Sequence, residues 1–210
     1  MKKEVVTRTF KFVDALLKQK ADEFLNLLDR DSVEFAERGY DAAAKTNFEA
    51  ARDTVSNFPS DETFDAQKIQ LTATKDAARS ALEKSMRTVF NMAANKFEKN
   101  PAKYRSFGDA EISRKPDAEL VRLYKVMVTA ANENLSDLAS EGLTQNKIDN
   151  ITTQGIALDV AIDALAKGIS DRDMATENRV ENLNYLYSLV SKYAGIGQDN
   201  YYEVNEAKYN

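Results

Sequence analysis

Residues 148–169 read IDNITTQGIALDVAIDALAKGI. Ile148, Ile151, Gly155, Leu158, Ile162, Leu165 and Ile169 follow one another at alternating spacings of three and four, which sets them along one narrow seam of an α-helix. Such a seam must be covered, either by the core of a helical bundle or by the seam of a second copy. Because the rest of the chain supplies other amphipathic helices in need of an apolar partner, the bundle core is the expected cover.

The helical period extends outward on both sides, with little period-2 alternation anywhere. A first helix is expected over about residues 4–29, with Phe10, Val13, Leu17, Ala21, Phe24 and Leu28 on its stripe. A second covers about 32–58 through Tyr40, Ala44, Phe48, Ala51, Val55 and Phe58, and Pro59 stops it. Ser60 or Asp61 caps a third over about 61–99, with Ala78, Leu82, Val89 and Met92 in its later half and Pro101 closing it. A fourth begins at Pro116, where Asp117 and Glu119 meet the unpaired N–H groups of the first turn. Its stripe runs Leu120, Tyr124, Met127, Ala131, Leu135, Leu138, and Gly142 supplies a C-terminal cap. The seam forms the fifth, and Asp171 caps a sixth that passes Val180, Leu183, Tyr187 and Val190 to end at Gly195. Short connections near 30, 59, 142 and 170 imply antiparallel neighbours. The predicted fold is all-α, an antiparallel bundle of about six helices.

Sliding the chain by 110 residues produces a faint internal match. Phe10 meets Leu120, Val13 meets Leu123 and Leu17 meets Met127, while Ala21, Leu25 and Leu28 meet Ala131, Leu135 and Leu138. Ser60-Asp61 likewise meets Ser170-Asp171. The match fits a duplication, and it also fits two amphipathic helices that happen to fall into phase. The expected organisation is a three-helix half over 1–100, a basic and aromatic connector over 101–115, a second three-helix half over 116–197 and a Tyr-rich tail over 198–210.

Composition narrows the chemistry. The 210 residues include no His, Cys or Trp. That excludes zinc sites built on nitrogen and sulfur, thiol nucleophiles, Ser-His-Asp triads and disulfides. The di-metal centres of helical bundles need a Glu-x-x-His motif, which cannot be completed here. Asp171, Asp173 and Glu177 form the best oxygen cluster, but the glycine and closing glutamate of a calcium loop are missing, and all three suit a helix start. Gly195-Ile196-Gly197 has no preceding strand and matches no phosphate-binding loop; with Lys192 nearby it reads as a helix stop. No catalytic, cofactor or metal residues are therefore expected, nor is a small-molecule substrate evident. No apolar run approaches the roughly 18 residues of a spanning helix. With no signal sequence as written, the cytoplasm is favoured.

A net charge of −5 points to no particular partner class. Its distribution is uneven. Residues 68–115 carry 11 basic and 5 acidic side chains, whereas 131–181 carry 4 basic and 10 acidic. These faces either balance each other within one bundle or draw two copies together. The connector interleaves Lys96, Lys99, Lys103 and Arg105 with Tyr104 and Phe107, a composition that grips phosphates and stacks bases or else pins a connector across a bundle end. Tyr201, Tyr202 and Tyr209 follow the last expected helix stop, available to lie along their own bundle or to dock on a neighbouring copy. The function expected from the sequence is a non-enzymatic structural or interaction protein that associates with itself or with another protein through these charged faces and this tail. The alternative is an adaptor that binds an anionic partner, nucleic acid or acidic protein, through the third helix and residues 96–115.

Overall fold

The structure, a computed structural model, describes residues 6–97 and 101–209. The helices in chain order are α1 (Asp14–Arg30), α2 (Ser32–Glu37), α3 (Ala42–Ser56), α4 (Asp61–Phe97), α5 (Pro101–Arg105), α6 (Asp117–Glu133), α7 (Leu135–Leu138), α8 (Gln145–Tyr201) and α9 (Glu206–Tyr209). Single 3-10 turns stand at Ile112–Arg114 and Ala139–Glu141. Among the described residues there is no β-strand, and the fold is all-α.

The chain folds into two compact units. Unit one comprises Met1–Ser60 and Arg172–Asn210, and unit two comprises Asp61–Asp171. Neither follows the sequential halves expected on either side of the connector. The first half gives α1 and α3 to unit one but α4 to unit two, and α8 serves both units in turn.

The core of unit two joins Leu82, Met86 and Phe90 of α4 with Leu120, Met127 and Ala131 of α6, and with Ile148, Ile151 and Leu158 of α8. The 148–169 seam thus lies in the core of unit two along most of its length, and only Ile169 at its end is exposed. Gly155 is the point of closest approach: a β-carbon there would lie 2.4 Å from the ring of Tyr124. Only the missing side chain lets that aromatic ring rest on the α8 backbone. At the start of α6, Asp117 binds Arg79 and takes a 2.8 Å hydrogen bond from Lys75 Nζ, which ties α4 to α6. Burial works against the Asp117 charge, but these two cations outweigh it and keep the carboxyl below its ordinary range.

Unit one packs Leu17, Ala21 and Leu28 of α1 against Phe48 of α3 and against Leu183, Leu186 and Tyr193 of α8. Over the described residues 6–13 the segment before α1 is not helical, where a helix over about residues 4–29 was expected, residues 4 and 5 lying outside the described residues. Its backbone is recognised by one side chain: Asn184 Nδ2 donates to the Thr7 carbonyl at 2.8 Å, and the Thr9 N–H donates to Asn184 Oδ1 at 2.9 Å. Phe10 is buried there, its ring 5.3 Å from that of Tyr187.

Other boundaries also moved. The expected second helix is two helices, because Gly39 takes φ +84° and Asp41 caps α3 through Oδ1, which accepts from the N–H groups of Ala43 and Ala44 at 3.0 and 3.1 Å. The fifth and sixth helices are one. Asp171 is not a cap but a mid-helix residue paired with Lys167 at 2.5 Å, and Gly195 and Gly197 lie inside α8. No proline interrupts 117–201. A helical glycine costs only about 0.5–1 kcal/mol relative to alanine, less than burying Leu186, Val190 and Tyr193 returns. Gly142, in contrast, is the stop its position implies: at φ +86° it lets the Leu143 N–H reach the Leu138 carbonyl at 3.1 Å.

Candidate functional site

The connector residues are engaged within unit two. Lys103 Nζ donates to Asp137 at 2.8 Å and sits 5.1 Å from the Phe97 ring centre. That hydrogen bond lowers the pKa of Asp137. Lys96 Nζ donates to Ser140 Oγ at 3.1 Å. Phe107 is fully buried beside Phe97, with 6.2 Å between ring centres, and Tyr104 meets Phe90 edge-on at 6.4 Å. Further along, Lys115 pairs with Asp109 at 2.5 Å and Arg114 with Glu111 at 3.2 Å. Arg105 is exposed and makes no ion pair among the described residues. Lys99 lies outside the described residues. The cations and rings that suggested a phosphate grip are thus largely held by their own unit.

The tail residues separate. Tyr201 is the last residue of α8 and is buried in unit one, whereas Tyr202 is exposed, as is Val204. Glu203 between them has φ +57°, a left-handed turn that reverses the chain. Tyr209 ends the short α9. The turn carries Lys208 back to Asp31, a residue that no motif or spacing singles out. Asp31 is only 1% exposed, the one buried charged side chain among the described residues. Arg30 grips its two oxygens at 2.9 and 2.6 Å, and Lys208 Nζ donates to Oδ1 at 2.8 Å while lying 4.7 Å from the Tyr201 ring centre. The Arg30 hydrogen bonds, with those of Lys208 and Tyr201, outweigh burial and hold the Asp31 carboxyl well below the usual carboxylate range. Because 177 residues separate Asp31 from Lys208, no local signal could join them.

A third feature faces outward. Ile156 and Val160, one turn apart on α8, are 53% and 62% exposed, while Ile151, Leu158 and Ala161 of the same helix are buried. This stretch of α8 therefore carries two apolar ridges, one in the core and one in solvent. Asp159 and Asp163 stand exposed beside the second. Ile69 of α4 is also exposed, at 69%.

Among the described residues no group of three or more carboxylates is placed to hold a metal ion. No described helix is long and apolar enough to cross a membrane. Comparison with protein-family models, curated proteins and solved structures finds no match.

Proposed function

We propose that this chain is a non-enzymatic helical interaction protein that associates with further copies of itself. The observation that carries this reading is the outward ridge of Ile156 and Val160. Scattered exposed apolar residues are ordinary, but two large side chains stacked on one face of a regular helix form a surface suited to another protein. The distribution of charge contributes less than the sequence implied, because Lys75, Arg79 and Lys103 find their carboxylates inside unit two. Tyr201, seated in unit one, is likewise less available than Tyr202 and Val204.

The finer architecture we propose is a duplicated three-helix unit. At the 110-residue offset, Leu17 and Met127, Ala21 and Ala131, Leu28 and Leu138, Phe48 and Leu158, and Ala51 and Ala161 are buried in both members of each pair. Val13 and Leu123 do not agree, since the first is exposed and the second buried. On this reading each unit holds one helix of every kind, with the third helices exchanged: α4 closes on α6 and early α8, and late α8 closes on α1 and α3.

Hydrogen exchange followed by mass spectrometry at low and high protein concentration tests the interaction. Slower exchange in peptides covering 153–163 at high concentration is expected, and identical exchange at both concentrations would overturn the assignment.

A further inference from the structure

Unit one contains a recess of about 310 Å³ between α1, α2, α3 and α8, at the lower end of the volumes that hold small ligands. Its apolar walls are Leu28, Ala36, Tyr40 and Tyr193. The aromatic wall is fixed in place. Tyr193 stacks on Phe48 with ring centres 5.1 Å apart, its hydroxyl donates to the Ala44 carbonyl at 3.2 Å, and Tyr40 meets it edge-on at 5.4 Å.

The polar groups decide which ligand fits. The N–H groups of Ala43 and Ala44, which would otherwise favour an anion at the start of α3, already donate to Asp41 Oδ1. Lys45, the cation of the lining, is bound by Asp29 and lies 3.4 Å from Glu49; the Asp29 hydrogen bond leads in raising its pKa. The charged and backbone donors are therefore engaged, while the Ser32 and Tyr40 hydroxyls of the lining can donate or accept. Acceptors are in surplus: Asp41 Oδ2 takes no hydrogen bond among the described residues, and Asp29 and Asp41 outnumber Lys45. Lys192 Nζ sits 4.9 Å from the Tyr40 centre, so that ring already carries an ammonium and offers a ligand its apolar edge rather than a second cation site.

We propose that this recess binds a small primary amine with a compact apolar body. The ammonium lies between Asp41 and Asp29, and the body lies against Tyr40, Tyr193 and Leu28. Charge-assisted hydrogen bonds to the two carboxylates set the preference for amines, while the walls select size and apolarity.

Phenethylamine and phenylacetate, alike in ring and opposite in charge, serve as probes for the full chain in a titration followed by ¹H–¹⁵N NMR. Saturable shifts at Tyr40, Ala42 and Lys45 are expected with phenethylamine and none with phenylacetate. Asp41→Asn keeps the helix cap, because asparagine caps as well as aspartate, and it is expected to weaken phenethylamine binding at least tenfold. Ala36→Phe, at an exposed position, fills the recess and is expected to abolish the shifts. Equal binding of both probes, no saturable shift with phenethylamine, or shifts that survive both substitutions would each overturn the assignment.

Discussion

Replacing Gly155 by alanine adds one methyl group to α8 where the ring of Tyr124 rests on its backbone. The new carbon would stand 2.4 Å from Cδ1 and Cε1 of that ring, well inside the roughly 3.5–4.0 Å of favourable carbon contact. Tyr124 is buried in the core of unit two, so ring or helix must shift by about an ångström. Forcing an extra methylene into a packed core typically costs about 1–3 kcal/mol. The gain in helix propensity, about 0.5–1 kcal/mol, offsets part of this and leaves a net loss of up to about 2.5 kcal/mol. Gly195→Ala is the matched control: it lies in the same helix with nothing within 4 Å of the added carbon, so only the propensity gain of about 0.5–1 kcal/mol remains. Urea unfolding followed by circular dichroism reads both, with the midpoint moving down for Gly155→Ala and up for Gly195→Ala at unchanged slope. In a Tyr124→Ala background the penalty at 155 should vanish. If Gly155→Ala stabilises as much as Gly195→Ala, the reasoning about close approach is wrong.

Two further outcomes follow from named contacts. Asp31 titrates lower in the folded chain than in the unfolded one, so its contribution is fully present above about pH 4 and is lost as the pH falls through the lower, folded value. Asp31→Asn should cost about 1–3 kcal/mol at pH 7, as expected for losing buried hydrogen bonds to charged groups, and its thermal midpoint should change less between pH 5 and pH 2 than that of the parent chain. At the start of α3, Asp41→Ala removes the acceptor of two backbone N–H groups and should lower stability by about 1 kcal/mol, whereas Asp41→Asn should leave it nearly unchanged; thermal unfolding distinguishes them.

The all-α class was legible because the apolar period of the chain is strong, and two boundaries were legible because they rest on stereochemistry. Pro116 ahead of Asp117 starts α6, and Gly142 in the left-handed region ends the α6–α7 stretch. Asp171 and Gly195 misled because capping and glycine preferences amount to about 1 kcal/mol, and burial of Leu183, Leu186 and Val190 along an unbroken α8 overrides them. Phe10 and Val13 sat on a helical stripe, yet residues 6–13 are not helical, and Asn184, remote in sequence, takes the backbone hydrogen bonds of Thr7 and Thr9. The connector could not be resolved from composition. Its fate depends on Asp137 and Ser140, which stand 34 and 44 positions away from the lysines they bind. Asp31 with Lys208, and the recess between Tyr40 and Tyr193, are assembled from both ends of the chain, so no window of sequence contains them.

Sedimentation velocity over a concentration series, run on the parent chain and on an Ile156→Glu, Val160→Glu double variant, tests self-association through α8 most directly. The parent chain should move from monomer to larger species as concentration rises, while the double variant, with unchanged circular dichroism, should remain monomeric throughout. A parent chain that stays monomeric at the highest concentration, or a double variant that associates just as readily, would contradict the role assigned to this ridge.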